Sequence, residues 1–243
     1  MVDVECYDID EFPVCYPQTN GCFIRDELKK SNIECAISYG RREIGEYKVL
    51  GIGFRGLVFL ARHSTGIVAV KVPRIDRLYD MRQEALNQKL AYPYAPKVYE
   101  YSKYFLVMEY IECPDLLDVV QGLLAEDNVQ SIRKVVCDVL KAGYQLDQRG
   151  IDHGELVRPW DHVKVCKNRV VFIDFNSSSI HRRPSNLTSL ISALLLKPSL
   201  PSSRIANLLN VDRAKLIELL RVYKKTRNEH SFNRIIKMVC LLN

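Results

Sequence analysis

Gly51-Ile52-Gly53-Phe54-Arg55-Gly56-Leu57-Val58-Phe59-Leu60-Ala61-Arg62-His63-Ser64-Thr65-Gly66-Ile67-Val68-Ala69-Val70-Lys71 is the stretch from which the rest of this chain can be read. Apolar residues alternate through Val58 and Leu60, Ser64-Thr65-Gly66 breaks the run, and Ile67 to Val70 resumes it. This pattern predicts strand, glycine turn, strand, turn, strand. Gly51, Gly53 and Gly56 have the G-x-G-x-x-G spacing. Without Cβ atoms, such a turn can lie close over phosphate groups and offer them free amide N–H groups. Lys71, at the end of the last strand, adds a point charge.

The same glycine spacing also opens the helix of dinucleotide-binding folds, where an acidic residue follows about 20 positions later. Here Gly56 leads into β-type sequence, so that meaning fails on context. A plain hairpin with ordinary turn glycines remains the other reading of this stretch alone.

The 243 residues are 47% hydrophobic and 26% charged, enough for a substantial core in one two-part domain or two small ones. The longest apolar candidate, Leu187 to Leu196, carries Thr188, Ser189 and Ser192 and falls short of the roughly 18–20 residues that span a bilayer. Asp3, Glu5, Asp8, Asp10 and Glu11 precede the first base, Arg25, which is unlike a signal peptide. We therefore expect a cytoplasmic protein with no membrane partner. The eight cysteines contain no C-x-x-C and no Cys/His spacing suited to zinc, so they read as buried thiols in a reducing compartment. Disulfides would fit only a hyperthermophilic source.

Net charge is +6, and it is unevenly placed. From Arg204 onward nine Lys and Arg residues face only Asp212, Glu218 and Glu229. The tail thus suits an acidic or nucleic-acid partner, or is simply a solvated helix face. Its Ile205-Ala206, Asn210-Val211, Leu216 and Leu219 have spacings also found in helix-turn-helix units.

In chain order, residues 1–44 read as an N-terminal extension packing on the lobe that follows, with the sheet beginning near Ile44. Asp76 to Leu90 is expected to be helical, with Leu78, Met81, Ala85 and Leu90 on its apolar side and Glu84 beside Met81. Val98 to Ile111 reads as two strands and Asp115 to Leu124 as a short helix. Ile132, Val135, Val136, Val139, Leu140, Gly143 and Leu146 mark a long buried helix stopped by Gly150. Val163 and Val165, a turn at Lys167-Asn168, and Arg169 to Ile173 form a hairpin that delivers Asp174-Phe175-Asn176. An aspartate ending so apolar a run is costly unless it meets a cation.

Taken in order, these motifs resemble protein kinases: glycine-rich loop, V-A-x-K strand, a helix carrying a glutamate, a strand like the one before the hinge, His153-Gly154-Glu155-Leu156 for H-R-D-L, and Asp174-Phe175-Asn176 for D-F-G. No A-P-E follows. That compactness is similar to the lipopolysaccharide-kinase-like and RIO-type kinases, the archaeal predicted serine/threonine kinases and the kinase of the tRNA threonylcarbamoylation machinery, whose loop reads H-G-D-L. The resemblance spans residues 45–196. It implies an α+β, two-lobed fold: an antiparallel β lobe (45–110), a hinge near Glu109 to Pro114, a mainly helical lobe (111–198) and basic C-terminal helices (199–243).

The activity implied is transfer of the ATP γ-phosphoryl group, assisted by Mg²⁺ or Mn²⁺, to Ser/Thr on a protein substrate, the chain itself included. The nucleotide-binding set would be Gly51, Ile52, Gly53, Gly56, Val58, Ala69, Lys71, Glu84, Met108, Glu109 and Ile111. Met108 stands as gatekeeper, and the Glu109 carbonyl and Ile111 amide meet the adenine edge. Lys71, paired with Glu84, Asp174 as metal ligand and Glu155 as base would be catalytic. The family's second metal ligand, Asn, stands five residues after the base; here that residue is Trp160. Two extra residues would pass the role to Asp161 or His162. Two other readings stay open: a small-molecule or RNA kinase on the same fold, and a weakly active nucleotide-binding partner protein. The first would share every motif above, and the second is encouraged by the departures at Glu155 and Asn176. Ser185, beside Arg182 and Arg183 at a helix start, is a candidate phosphorylation site.

Overall fold

The computed structural model describes residues 5–18 and 21–241. They divide into two compact units, one comprising the described residues up to Lys89 together with Pro96–Tyr110, the other Leu90–Ala95 together with the described residues from Ile111 onward. The fold is of the α+β class. No helix among the described residues is long and apolar enough to cross a membrane.

The first unit is built on a seven-stranded antiparallel sheet. In chain order its elements are β1 (Cys6–Tyr7), α1 (Phe23–Lys29), β2 (Ile33–Ile37), the hairpin of β3 (Arg42–Ile44) and β4 (Tyr47–Val49), β5 (Gly51–Ile52), β6 (Gly56–His63), β7 (Gly66–Pro73), α2 (Arg82–Ala91), β8 (Val98–Tyr101) and β9 (Leu106–Glu109). The sheet order is β1-β2-β6-β7-β9-β8, with β5 also paired to β6 and β3–β4 separate. The expected strand–turn–strand–turn–strand of residues 51–71 is thus present as β5, β6 and β7.

The sheet does not begin near Ile44, as the sequence suggested. It begins at Cys6, because β1 pairs with β2 and β2 with β6. The extension also fills one face of the sheet. Ile9, Phe12, Val14, Ile24 and Leu28 bury against Leu57, Phe59, Val68, Val70 and Val72, with the Phe12 and Phe59 rings 5.3 Å apart. Strand residues two apart point the same way, so these positions form one face. Val58, Lys71, Ala69 and Met108 are cross-strand neighbours on the other. Near Met108, Ala85 of α2 and the preceding Met81 pack against Leu106 and Val98.

The helix expected over Asp76 to Leu90 starts late. A 3₁₀ turn covers Ile75–Arg77, and α2 begins only at Arg82. Asp80 marks the start by accepting from the Arg82 amide at 3.0 Å. Met81 and Ala85 are buried as expected, but Leu78 and Leu90 are exposed. A stripe of four apolar residues was too loose to fix the boundary.

The second unit is mainly helical: α3 (Leu116–Ala125), α4 (Val129–Gln148), the hairpin β10 (Val163–Val165) and β11 (Val170–Phe172), α5 (Asn186–Ile191) continuing as a π turn Ser192–Leu196, then α6 (Ser202–Leu208), α7 (Arg213–Thr226) and α8 (Glu229–Cys240). The α4 stripe buries Ile132, Val136, Val139, Leu140, Gly143 and Leu146 as read, while Val135 is only partly buried. Asn128 caps its start by accepting from the Ser131 amide, and Gly150 ends it at φ +73°. Gly143 permits close packing: a Cβ there would collide with Leu190 Cδ1 of α5.

The helices after residue 198 share this core. Ile205, Leu216, Leu220, Tyr223, Ile235 and Val239 belong to the same buried cluster as α4 and α5. Tyr223 donates to the buried Asp147 at 2.8 Å. Burial pushes the Asp147 carboxyl above its usual range, against bonds that favour its charge from Tyr223, Asn186 and the Leu187 amide.

The reading of the cysteines as free thiols is overturned. All eight pair, as Cys6–Cys35, Cys15–Cys22, Cys113–Cys166 and Cys137–Cys240. The fold brings their Cα atoms to between 5.3 and 6.2 Å, the separation that a disulfide requires. Connectivity among eight cysteines has about 105 solutions, which spacing alone does not resolve.

Candidate functional site

In the first unit the glycine turn closes through a bond from the Gly53 amide to the Gly56 carbonyl at 2.8 Å. Gly51 faces Val58 and Ile52 faces Leu57. A Cβ on Gly56 would come within 2.6 Å of the Val72 carbonyl, so β6 and β7 can meet there only with glycine. At the tip Phe54 is 71% exposed, with the Arg77 guanidinium 3.7 Å from its ring centre.

Lys71 lies on the sheet face away from the extension, between Val58 and Leu106. Its Nζ reaches Glu84 Oε1 at 2.6 Å, and both residues are buried. Tyr79 donates to the other oxygen, Oε2, at 2.9 Å. The ion pair that the resemblance implies is therefore formed. Removing two charges from water costs several kcal/mol each, so such a pair contributes little to stability over an apolar substitute. Ala69 and Met108 are direct cross-strand partners on the same face, and Gln88 Nε2 contacts Met108 Sδ at 3.4 Å. Glu109 ends β9, its amide donating to the Lys97 carbonyl. Ile111 is buried in the second unit.

In the second unit the loop after α4 and the turn after β11 are bound to each other. Asp152 and Ser179 exchange both backbone bonds, at 2.9 and 2.8 Å. His153 is fully buried. It donates from Nε2 to the Ile173 carbonyl at 3.0 Å, while Nδ1 accepts from the Glu155 amide at 3.4 Å. Burial holds its pKa down at about 4, and the nearby His162 adds to this, so the ring is neutral. Gly154 adopts φ +90°, and a Cβ there would meet the Ser177 carbonyl at 2.5 Å. No side chain fits where the kinase motif has arginine.

Asp174 sits in the left-handed region at φ 65°, ψ 73°. That conformation is strained for a non-glycine residue and is found where the surroundings impose it, often at functional sites. Asn176 Nδ2 donates to Asp174 Oδ1 at 2.7 Å. Ser177 Oγ lies 2.9 Å from Asn176 Oδ1 and 2.5 Å from Glu155 Oε1. Asp174 with Asn176 and Ser177 with Glu155 thus form two adjacent hydrogen-bonded pairs.

A second carboxylate three residues before Glu155, Asp152, is fully engaged. Arg182 Nε donates to its Oδ2 at 2.8 Å, and the Ser185 amide and hydroxyl both donate to its Oδ1. Asp152 therefore anchors the following segment, and Glu155 is left facing the turn. Ser185, the candidate phosphorylation site, is part of this anchor. Its hydroxyl faces a carboxylate, and Arg183 is turned to the Lys224 and Lys225 carbonyls.

Trp160 and Asp161 lie in a 3₁₀ turn, and His162 immediately precedes β10. The His162 carbonyl accepts from the Ile173 amide at 2.9 Å, extending the β10–β11 ladder to the residue before Asp174. Asp161 is exposed, while His162 Nδ1 is buried without a partner. Among the described residues no cluster of three or more His, Cys, Asp and Glu could enclose a metal. Mg²⁺ does not need one, since it is commonly held by one or two protein groups together with substrate phosphates.

Asn186 holds the loop from behind and was not anticipated. It receives the His153 amide at Oδ1 and gives Nδ2 to Asp147 Oδ1 and the Ile151 carbonyl. A signal existed, because Asp147 stands four residues after Gly143 on the buried α4 stripe, where a carboxylate must have partners. Nothing in the spacing pointed to Arg182 or Ser177.

No protein-family model matches the chain. An uncharacterized protein of Methanocaldococcus jannaschii is 29% identical over 120 residues, which is 49% of this chain and 99% of that protein.

Proposed function

We propose that the protein is an ATP-dependent Ser/Thr protein kinase that also phosphorylates itself, on a two-lobed kinase-like fold. The observation that carries this reading is the buried Lys71–Glu84 pair on the strand following the glycine turn. A pair so expensive to bury is explained if the lysine is held ready for phosphate oxygens. Asp174, in its left-handed conformation, supports the same reading.

In this proposal the amides of the 51–56 turn and Lys71 bind the triphosphate, and the Met108 to Ile111 backbone meets the adenine. Asp174, with His162 or Asp161, holds Mg²⁺ or Mn²⁺. Once bound, the metal neutralises charge developing on the transferred phosphoryl group. Glu155 orients the acceptor hydroxyl and takes its proton. A glutamate reaches roughly one bond further than an aspartate, and Gly154 brings the loop close against the Ser177 turn. The protein's contribution is placement and fixed charge rather than covalent chemistry. A cytoplasmic setting supplies the nucleotide, and four disulfides suit it in hyperthermophilic cells.

The test is thermal unfolding with ATP·Mg²⁺, together with transfer of labelled phosphate to a generic protein acceptor. Ligand bound only by the folded state stabilises by about 2.7 kcal/mol at a hundredfold excess over Kd. We expect a raised Tm and labelled product, with transfer abolished in Asp174→Asn and in Lys71→Met combined with Glu84→Gln. Full transfer in both variants, or no response to ATP, overturns the proposal.

A further inference from the structure

We propose that Ser177 is an internal acceptor, phosphorylated by the protein's own active site with Glu155 as the group that takes its proton; this rests on the phosphoryl-transfer reading above. The geometry required of a general base is a carboxylate within about 2.6–3.2 Å of the hydroxyl it deprotonates. Ser177 Oγ already stands 2.5 Å from Glu155 Oε1. A hydroxyl has one proton, and the charged, nearer acceptor takes it in preference to Asn176 Oδ1 at 2.9 Å.

The placement is built into the backbone. The Ser177 carbonyl accepts from Arg182 Nη2 at 2.7 Å, and the same guanidinium donates from Nε to Asp152. Gly154 lies against that carbonyl so closely that a Cβ would reach 2.5 Å. Neighbouring hydroxyls are turned elsewhere. Ser178 Oγ donates to the Phe175 carbonyl, Ser179 Oγ accepts from the His181 and Arg182 amides, and Ser185 Oγ faces Asp152. Ser177 is half-buried rather than sealed. It stands three residues after Asp174, beside the Asn176 that donates to that aspartate.

The step balances with a nucleoside triphosphate as the co-reactant. A lone pair of Ser177 Oγ forms the new bond to the γ-phosphorus. The bond from that phosphorus to the β–γ bridging oxygen breaks, the nucleoside diphosphate leaves, and the hydroxyl proton passes to the Glu155 carboxylate. The product sets a phosphate of charge about −1.5 to −2 beside Glu155 and displaces the carboxylate from its hydroxyl. Transfer to any second acceptor should therefore slow as Ser177 fills.

The experiment incubates the full chain with ATP and Mg²⁺ or Mn²⁺ and maps phosphate by fragmentation mass spectrometry. The expected result is phosphate on Ser177 approaching one per chain, at a rate per chain independent of protein concentration. It should be lost in Ser177→Ala and Glu155→Gln and kept in Ser178→Ala. Thermal unfolding of each variant verifies folding, and Ser177→Thr keeps a hydroxyl if alanine disturbs the turn. Phosphate on a generic acceptor, or elsewhere on the chain, with none on Ser177 overturns this inference and leaves the kinase reading standing. No phosphate anywhere, with no stabilisation by ATP, overturns both.

Discussion

His153 shows what a single buried ring demands of the loop it supports. Its two nitrogens serve the Ile173 carbonyl and the Glu155 amide, an arrangement open only to the neutral form. Burial lowers its pKa from 6.5 to about 4 in the folded state. Below about pH 6.5 the unfolded chain therefore takes up a proton that the folded chain refuses. The stability this confers is complete above pH 6.5 and is lost as pH falls towards 4, about 3 kcal/mol across that window. Urea unfolding at steps from pH 7 to 4.5 should show that decline, and His153→Gln should show a shallower one. An equal slope in both would assign the effect to other groups. The carboxylates of the loop give a second prediction. Asp152→Asn strips charge from bonds to Arg182 and Ser185 and should lower Tm, a loss of about 1–3 kcal/mol. Glu155→Gln should leave Tm nearly unchanged and reduce phosphoryl transfer by at least about 10²-fold. The reverse pattern in the two variants would move the base to Asp152. Lys71, Glu84 and Asp174 were legible because each carries an unusual demand for its setting. Ser177 was not, since a serine in a polar turn makes no such demand until the fold places a carboxylate against it.

At the scale of elements, legibility followed the strength of the periodic signal. The α4 stripe is long and regular, and the helix appears where it was read. The β10–β11 hairpin was equally plain, with Cys166 donating to the Arg169 carbonyl across the expected turn. The start of α2 was misplaced because Leu78 and Leu90 turned out to be solvent-facing. Strands β1 and β2 went unread because a two-residue strand has no period and Ile33–Ile37 was judged part of an extension. Packing between elements is sharpest at Gly143. Its missing side chain lets α5 approach α4, with the Leu187 Cα 3.7 Å from where a Cβ would stand. Leu190 Cδ1 is closer still and must move if one is added. Gly143→Val should cost more than the 1–3 kcal/mol typical of an overpacked core, since two methyl groups enter a helix contact. Because α5 also carries Asn186, which holds the His153 amide, the variant should lose phosphoryl transfer at temperatures where it remains folded. Denaturant unfolding beside an activity assay reads both effects. Unchanged stability would mean that the helices separate more easily than their packing implies.

For the whole molecule, segments that looked appended are structural. Ile9, Phe12, Val14, Ile24 and Leu28 cover one face of the sheet, and the helices after residue 198 complete the core around α4. Their basic surface residues are consequently an outer face of the second unit rather than a detachable tail. The disulfides tie these same segments down. Cys6–Cys35 and Cys15–Cys22 hold the extension, and Cys137–Cys240 joins α4 to the last helix across a separation of 103 residues. Cross-linking restrains mainly the unfolded chain, and the restraint grows with the logarithm of loop length. On that basis Cys137–Cys240 contributes about 4.7 kcal/mol and Cys15–Cys22, with a separation of 7 residues, about 2.4 kcal/mol. The paired substitution Cys137→Ser with Cys240→Ser should therefore lower stability about twice as much as Cys15→Ser with Cys22→Ser, measured by denaturant unfolding at equal pH. Reduction of the wild-type chain opens all four bridges and should lower stability more than either paired substitution. If the short loop proved the costlier one to open, the contribution would lie in packing of the extension around Cys15 and Cys22, both buried, and not in chain entropy.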